Sequence, residues 1–465
     1  RRMAQPLTDG VEVAAGDQSA TEPTLARRLG PFDATMIVMG GIIGSGIFVN
    51  PSVVARAVHT PLLVIGAWVA GGIIALIGAF VYAELARLRP DVGGQYAYLR
   101  DAYHPIVAFL YGWTLLLVVQ TGGMAGSAII FGRYTRELTG WAMPEQAIAA
   151  IALGVLTLVN CFGVRAGSNV QSALMLTKLA AIGMLIVVGL FFATRATSIA
   201  AAALPNGTGG IAGFGAAMVP VLFAYGGWQT ASFVSGEMRD SRRDLPRGLL
   251  IGVVGVIALY LAVTLVCLRV LGVDGLAATS TPASMVLRSA LGERGAKLIA
   301  LGIAISTVGF LSQSVLTAPR AYFAMARDGV FFKAVARLNP RSRVPVVAIV
   351  LQGVWAAVIA LTGKYDQILN YVVSIDVLFF GLTGASLLVF RARESRAKTT
   401  AHAPDGARVP GHPATTMVFV LACWAISAST IVQYPENAGI GVVILLVGVA
   451  VYWLWVRRAG PHKEV

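Results

Sequence analysis

Gly40-Gly41-Ile42-Ile43-Gly44-Ser45-Gly46-Ile47-Phe48 lies inside an apolar run from Ala34 to Val58 that is long enough to cross a bilayer. Each glycine in a helix interior costs about 1 kcal/mol relative to alanine, so this cluster argues for an interruption. Inside a membrane, an interruption is tolerated only where the freed N–H and C=O groups face protein or a water-filled cavity. A glycine-lined packing face between helices is the other reading of this stretch. A second stretch, Phe223-Ala224-Tyr225-Gly226-Gly227-Trp228, sits in the middle of the later run 211–236. Two interrupted spans at corresponding places in two halves of a chain point to a transport site at the bilayer midplane.

The bulk composition agrees. Of 465 residues, 57% are hydrophobic and 12% charged, with a mean hydropathy of +0.75. That balance belongs to an integral membrane protein. The net charge of +14 does not signal nucleic acid, because the arginines are spread between apolar runs as in cytoplasmic loops. The three cysteines, Cys161, Cys267 and Cys423, fall in or beside apolar runs and form neither a metal motif nor a disulfide framework. No histidine lies at the centre of an apolar run, so a histidine proton relay has no candidate.

Apolar runs of span length predict an all-α integral membrane protein with 12 transmembrane helices. Their approximate limits are 34–58, 62–87, 104–132, 145–163, 168–194, 211–236, 247–271, 292–326, 345–362, 367–390, 414–434 and 438–457. With the N-terminus inside, 26 Lys and Arg residues fall on the cytoplasmic side and 9 outside, with Lys178 within a span. The positive-inside rule expects that split. It places both termini in the cytoplasm of a multi-pass protein of the cell membrane.

The first ten spans divide as five plus five, and the first of each five carries a glycine break. Repeats of five spans sit in opposite orientation, which is an inverted repeat. The expected organisation is a cytoplasmic tail over 1–30, a first repeat over 31–194 and an inverted second repeat over 195–390. A cytoplasmic linker over 391–413, the last two spans over 414–457 and a cytoplasmic tail over 458–465 complete it. Trp424, Trp453 and Trp455 read as packing or interfacial anchors, and lipid is the expected surroundings.

At a break, the second half-helix presents free N–H groups with a positive dipole end. Those of Ser45, Gly46 and Ile47 suit a carboxylate. The carbonyls of Ile42, Ile43, Phe223 and Ala224 suit an ammonium group. Together they fit a zwitterion, an α-amino acid, and glycine at 44, 46 and 226 lets it approach the backbone. Neither Asp nor Glu occurs over 34–58 or 211–235, which favours neutral amino acids over basic ones or polyamines. Phe223 and Trp228 are aromatic candidates for closing the site, with ordinary packing as the alternative role.

Lys178 lies about ten residues into the fifth span, and an intramembrane lysine costs at least ~2.5 kcal/mol on insertion scales. It is read as a fixed charge holding the first break, with proton shuttling as the alternative. Asp376, in Ser374-Ile375-Asp376-Val377, reads as a proton acceptor, a polar gate or a satisfied structural hydrogen bond. Tyr260 reads as a hydroxyl donor near the breaks or as packing. Glu84, Glu237, Asp240 and Arg320 lie near cytoplasmic span ends, where ion pairing is expected. No nucleophile elbow, intramembrane carboxylate pair, metal motif or P-loop is present, so an enzyme or a nucleotide-driven pump is not expected and no cofactor is implied.

These motifs resemble those of the amino acid–polyamine–organocation superfamily, and within it the L-type amino acid transporter group with its bacterial relatives. The resemblance rests on Gly44–Phe48, on Phe223–Trp228 followed by Glu237-Met238, on Asn160-Cys161-Phe162-Gly163-Val164 running to Lys178, and on Met325-Ala326-Arg327-Asp328-Gly329. It covers roughly 30–455. It implies the LeuT-like fold of twelve helices with a five-plus-five inverted repeat and broken first and sixth helices, working by alternating access. It implies substrate contacts at Ile42, Ile43, Ser45, Gly46, Ile47, Phe223, Ala224 and Gly226. It also implies that Lys178 stands near where sodium-coupled relatives bind their ion, hence sodium-independent transport, and that Tyr260 supports the site. Animal members join a heavy chain through a cysteine in the outer loop after the third span. Residues 133–145 here contain none, so no covalent heavy-chain partner is expected.

The leading expectation is a secondary transporter of neutral L-amino acids, working by exchange or with protons. A carrier of cationic amino acids or polyamines would need Asp376 as counter-charge. A non-transporting amino acid sensor would need a cytoplasmic domain that the short tails do not supply.

Overall fold

A computed structural model describes residues 29–89, 94–162, 168–193, 211–233, 238–339, 344–396 and 408–459. Residues 1–28 and 460–465 of the expected tails, residues 397–407 of the expected linker over 391–413, and Gly163, Val164 and Glu237 lie outside the described residues. The Trp455 side chain is likewise not described.

The described chain is helical throughout. It runs α1 Pro31–Ile42, α2 Asn50–Val58, α3 Pro61–Leu88, α4 Gln95–Ala102, α5 Pro105–Thr114, α6 Gln120–Thr139, α7 Glu145–Cys161, α8 Ser168–Phe191 and α9 Ile211–Tyr225. It continues as α10 Thr230–Phe233, α11 Ser241–Ala278, α12 Pro282–Thr317, α13 Pro319–Arg327, α14 Val346–Thr362, α15 Tyr365–Arg396, α16 Ala414–Gln433 and α17 Pro435–Ala459. Proline opens many of these helices, where its missing N–H costs nothing and its fixed φ is already helical. At α1, Asp33 also reaches back to accept from the Gly30 N–H at 2.9 Å, which suits the positive end of the helix.

Eight helical stretches are long and apolar enough to cross a membrane among the described residues. The remaining expected spans differ for two reasons. The α7 and α14 helices are apolar but only 17 residues long. The runs 34–58 and 211–236 are divided, so neither supplies one long helix. In α12, Gly292 adopts φ 63° and ψ −156°, which separates the expected span beginning at 292 from a short segment before it.

Both divided segments lie at the centre of the packing. The α1 helix packs against α11, α10, α12 and α8, whereas α9 packs against α2, α3, α16 and α15. Large apolar side chains such as Leu62, Ile73, Leu158, Phe191, Val418 and Leu446 remain exposed on the outside. A belt of this kind suits hydrocarbon rather than water.

One departure inside the third expected span has consequences. Leu115–Val119 forms a π-turn between α5 and α6, and the Thr121 hydroxyl donates to the Leu116 carbonyl at 2.7 Å. Such a turn shifts the helical register of the residues C-terminal to it, and π-turns recur at functional sites.

Candidate functional site

The first divided segment leaves the helix at Ile42. Ile43 has φ −73° and ψ 85°, and the chain re-coils as a short 3-10 turn over Gly46–Phe48 before α2 begins at Asn50. Within this bend the N–H groups of Ser45, Gly46 and Ile47 donate to no acceptor among the described residues. The Ser45 hydroxyl is buried and also without a partner. Buried polar groups are almost always satisfied, so these four point to a missing acceptor.

The second divided segment ends α9 at Tyr225 and turns through Gly226–Gln229 into α10. Gly227 takes φ 108°, a conformation that L side chains rarely adopt. Its Cα also lies against the Gly41 carbonyl, where a Cβ would overlap the oxygen. The Gly227 carbonyl accepts from the Thr230 hydroxyl at 2.7 Å, and its N–H donates to Gln229 Oε1 at 3.0 Å. A Cβ on Gly46 would stand 3.3 Å from the Ala224 Cα. The two bends therefore meet backbone to backbone.

Tyr260 on α11 joins them. It is fully buried, and its hydroxyl lies 3.0 Å from the Ile42 carbonyl and 3.3 Å from the Ala224 carbonyl. Lys178 on α8 stands behind α1, with Nζ donating to the Gly40 carbonyl at 3.2 Å and the Ile43 carbonyl at 3.0 Å. Gly309 leaves room for the lysine stem, since a Cβ there would sit 3.3 Å from Lys178 Cε. These bonds revise one expectation. Of the four carbonyls read as free for an ammonium, Ile42, Ile43 and Ala224 already accept from Tyr260, Lys178 or the Gly44 N–H, and among the described residues Phe223 alone has no donor.

Between the bends lies a cavity whose empty space, counted out to its open mouth, is about 800 Å³. Of the residues singled out in the sequence, Ile42, Ser45, Gly46, Phe223, Ala224, Gly226 and Asp376 line it. Ile43, Ile47, Lys178, Tyr260 and Trp228 do not line it; they stand behind the wall. Trp228 packs at 4.7 Å from Phe380, which is on the wall, and edge-on to Tyr82.

The sequence reading missed Gln120 and Ser127 on α6, Gln313 and Thr317 on α12, and the aromatic rings Phe310 and Phe380, all of which line the cavity. A polar residue in the middle of an apolar run was the available signal for the first four. Only the π-turn sets which face of α6 carries Gln120. The far end of the bends is closed by a separate set of bonds. Asn50 donates to the Pro220 carbonyl at 2.7 Å and accepts from the Tyr365 hydroxyl at 2.8 Å, while Tyr134 donates to the Phe48 carbonyl at 3.0 Å.

The sequence profile of the amino acid permease family matches residues 29–455. The chain belongs to that family. This permease is 29% identical over 442 residues to the serine/threonine exchanger SteT of Bacillus subtilis (strain 168), covering 93% of this chain and 98% of that protein. It is 30% identical over 446 residues to the large neutral amino acids transporter small subunit 2 of Homo sapiens, covering 93% and 81% of the two chains. It is also 30% identical over 397 residues to the human b(0,+)-type amino acid transporter 1, covering 82% and 79%. The permease is therefore a multi-pass membrane transporter of the amino acid–polyamine–organocation superfamily, related to the L-type group, and not an enzyme.

Proposed function

We propose that this permease carries neutral L-amino acids across the cell membrane by alternating access, independently of sodium, as an exchanger or together with protons. One observation carries the reading: the unclaimed amides of Ser45 and Gly46 on the cavity wall, with that of Ile47 next to them and the orphaned Ser45 hydroxyl, form an anion cradle opposite the second bend. An α-carboxylate fits such a cradle, and the Phe223 carbonyl remains for the α-ammonium. The roles assigned to Ile42, Ile43, Ile47, Ala224 and Gly226 are those of cradle backbone, and Phe223 is the ring next to the ligand. Lys178 holds the first bend as a fixed cation, which a bound sodium would otherwise do. The relatives' names, a serine/threonine exchanger and a large neutral amino acids transporter, support the substrate class.

The same reading takes the two divided segments as the first and sixth of twelve spans in a five-plus-five inverted repeat. The repeats run over 31–194 and 195–390, followed by the linker and the last pair of spans. With both termini cytoplasmic, the cavity lies on the inner side of the bends and the Asn50–Pro220–Tyr365 bonds close the outer side. This conformer is then inward-facing. The lack of a cysteine over 133–145 supports a permease working without a covalent heavy chain.

The test is uptake of radiolabelled amino acids into proteoliposomes with and without unlabelled amino acid inside, at two external pH values. A requirement for internal substrate with little effect of pH identifies an exchanger. Accumulation in empty vesicles only under an inward proton gradient identifies a symporter. Binding without uptake of any amino acid would remove the transport reading.

A further inference from the structure

Asp376 sits on the cavity wall beside the second bend, where a Cβ on Gly226 would lie 4.0 Å from its Oδ2. Among the described residues no hydrogen bond and no ion pair ends on it. That is unusual for an ionisable group inside a membrane bundle, where such groups pair with one another or mark a pathway. The polar side chains next along its helix face are occupied. Thr383 accepts from Gln95 Nε2 at 2.9 Å, and Gln95 Oε1 in turn accepts from the Tyr111 hydroxyl at 3.1 Å.

The groups that face Asp376 electrostatically are Tyr82 on α3, Tyr111 on α5 and Cys423 on α16, none of them a cation. Among the described residues no Lys, Arg or His lines the cavity, and Lys178 is engaged by the Gly40 and Ile43 carbonyls behind α1. A zwitterion would already have its carboxylate and ammonium matched by the two bends. The cavity thus holds one carboxyl group more than an amino acid backbone calls for. A desolvated carboxylate without a counter-charge is strongly disfavoured, so a positive charge belongs at this position when the cavity closes around substrate.

We propose that the Asp376 carboxylate is a cation position of the transport site, filled in each cycle by one positive charge. A basic substrate supplies it from its side-chain nitrogen, and a neutral substrate brings it as a proton. In the second case the proton is taken up by a carboxylate oxygen from the solution on one side and released from it on the other. The inference rests on the amino acid reading of the cavity and specifies its charge.

The experiment is binding to the purified full-length permease in detergent, followed by ligand-induced thermal shift and by radioligand displacement. Leucine, serine, lysine and ornithine are compared at pH 6 and pH 8, for the wild type, Asp376→Asn and Asp376→Glu. If the side chain is the source, the wild type binds lysine or ornithine, and the ratio of basic to neutral affinity falls at least tenfold in Asp376→Asn and recovers in Asp376→Glu. If the proton is the source, neutral ligands bind more tightly at pH 6 than at pH 8 in the wild type and Asp376→Glu, and equally at both in Asp376→Asn. An Asp376→Asn protein that keeps both the wild-type ratio and the wild-type pH response overturns the inference. So does a requirement for sodium that disappears in Asp376→Asn. A wild type that binds none of the four amino acids overturns the amino acid reading itself, a result distinct from the others.

Discussion

Two acids in the bundle, Glu84 and Asp376, have opposite surroundings. Glu84 on α3 is fully buried and saturated. It accepts from Arg391 Nε at 2.7 Å and from the Val409 N–H at 2.7 Å, with Arg87 at 4.0 Å. It joins α3 to α15 and to the segment that leads into α16. Asp376 on α15 faces the cavity and accepts from nothing among the described residues. The difference separates an acid that holds helices together from one that is available to a transported charge. Near the same ends, Asp328 accepts from the Tyr96 hydroxyl and from Arg100, both at 2.9 Å. Asp240 pairs loosely with Arg243 at 3.7 Å, and Arg320 donates to the Leu316 carbonyl.

The largest expected effect comes from removing the saturated acid. Glu84→Ala leaves Arg391 and the Val409 N–H without their acceptor. Losing one partner of a buried pair costs roughly 3–5 kcal/mol, and about 3 kcal/mol is expected because Arg391 is 29% exposed. Thermal unfolding in detergent should show a Tm lower by several degrees. An unchanged Tm would mean that this pairing does not stabilise the fold, and the contrast with Asp376 would lose its meaning.

Lys178→Ala comes next. It strips donors from the Gly40 and Ile43 carbonyls, each buried acceptor costing about 1–3 kcal/mol when unmade. Because those carbonyls shape the cradle, substrate binding is expected to weaken more than tenfold while the protein remains folded. Normal binding by this variant would show that the first bend holds itself.

Tyr260→Phe removes one hydroxyl shared by the two bends. About 1 kcal/mol is at stake, which corresponds to a several-fold rise in KM for uptake and little change in Tm. A KM equal to that of the wild type would show that the bends need no bridge. At the low end, Asp376→Asn breaks no bond seen among the described residues, so its stability should stay within about 0.5 kcal/mol of the wild type and its Tm should barely move. A large loss there would reveal a hidden partner and place Asp376 with Glu84.

Much of this is legible in the sequence. Glycines in mid-span at 40–46 and 226–227 mark the divided segments because membrane backbone cannot be left unpaired. A lysine and an aspartate in apolar runs stand out because hydrocarbon excludes them. The polar residues Gln120 and Gln313 are visible too, but their direction is not, since a π-turn and a long helix decide which face they present.

The sequence by itself determined a helical membrane protein with two interrupted segments and an intramembrane lysine and acid, since those features arise from composition and local backbone cost. The tertiary structure decided which groups remain unused. Tyr260 and Lys178 claim three of the four carbonyls at the bends, leaving the Phe223 carbonyl and the amides of Ser45–Ile47 without partners among the described residues. Glu84 is saturated and Asp376 is not. Hydrogen-bond satisfaction is a property of neighbours far apart in the chain, so no local pattern encodes it.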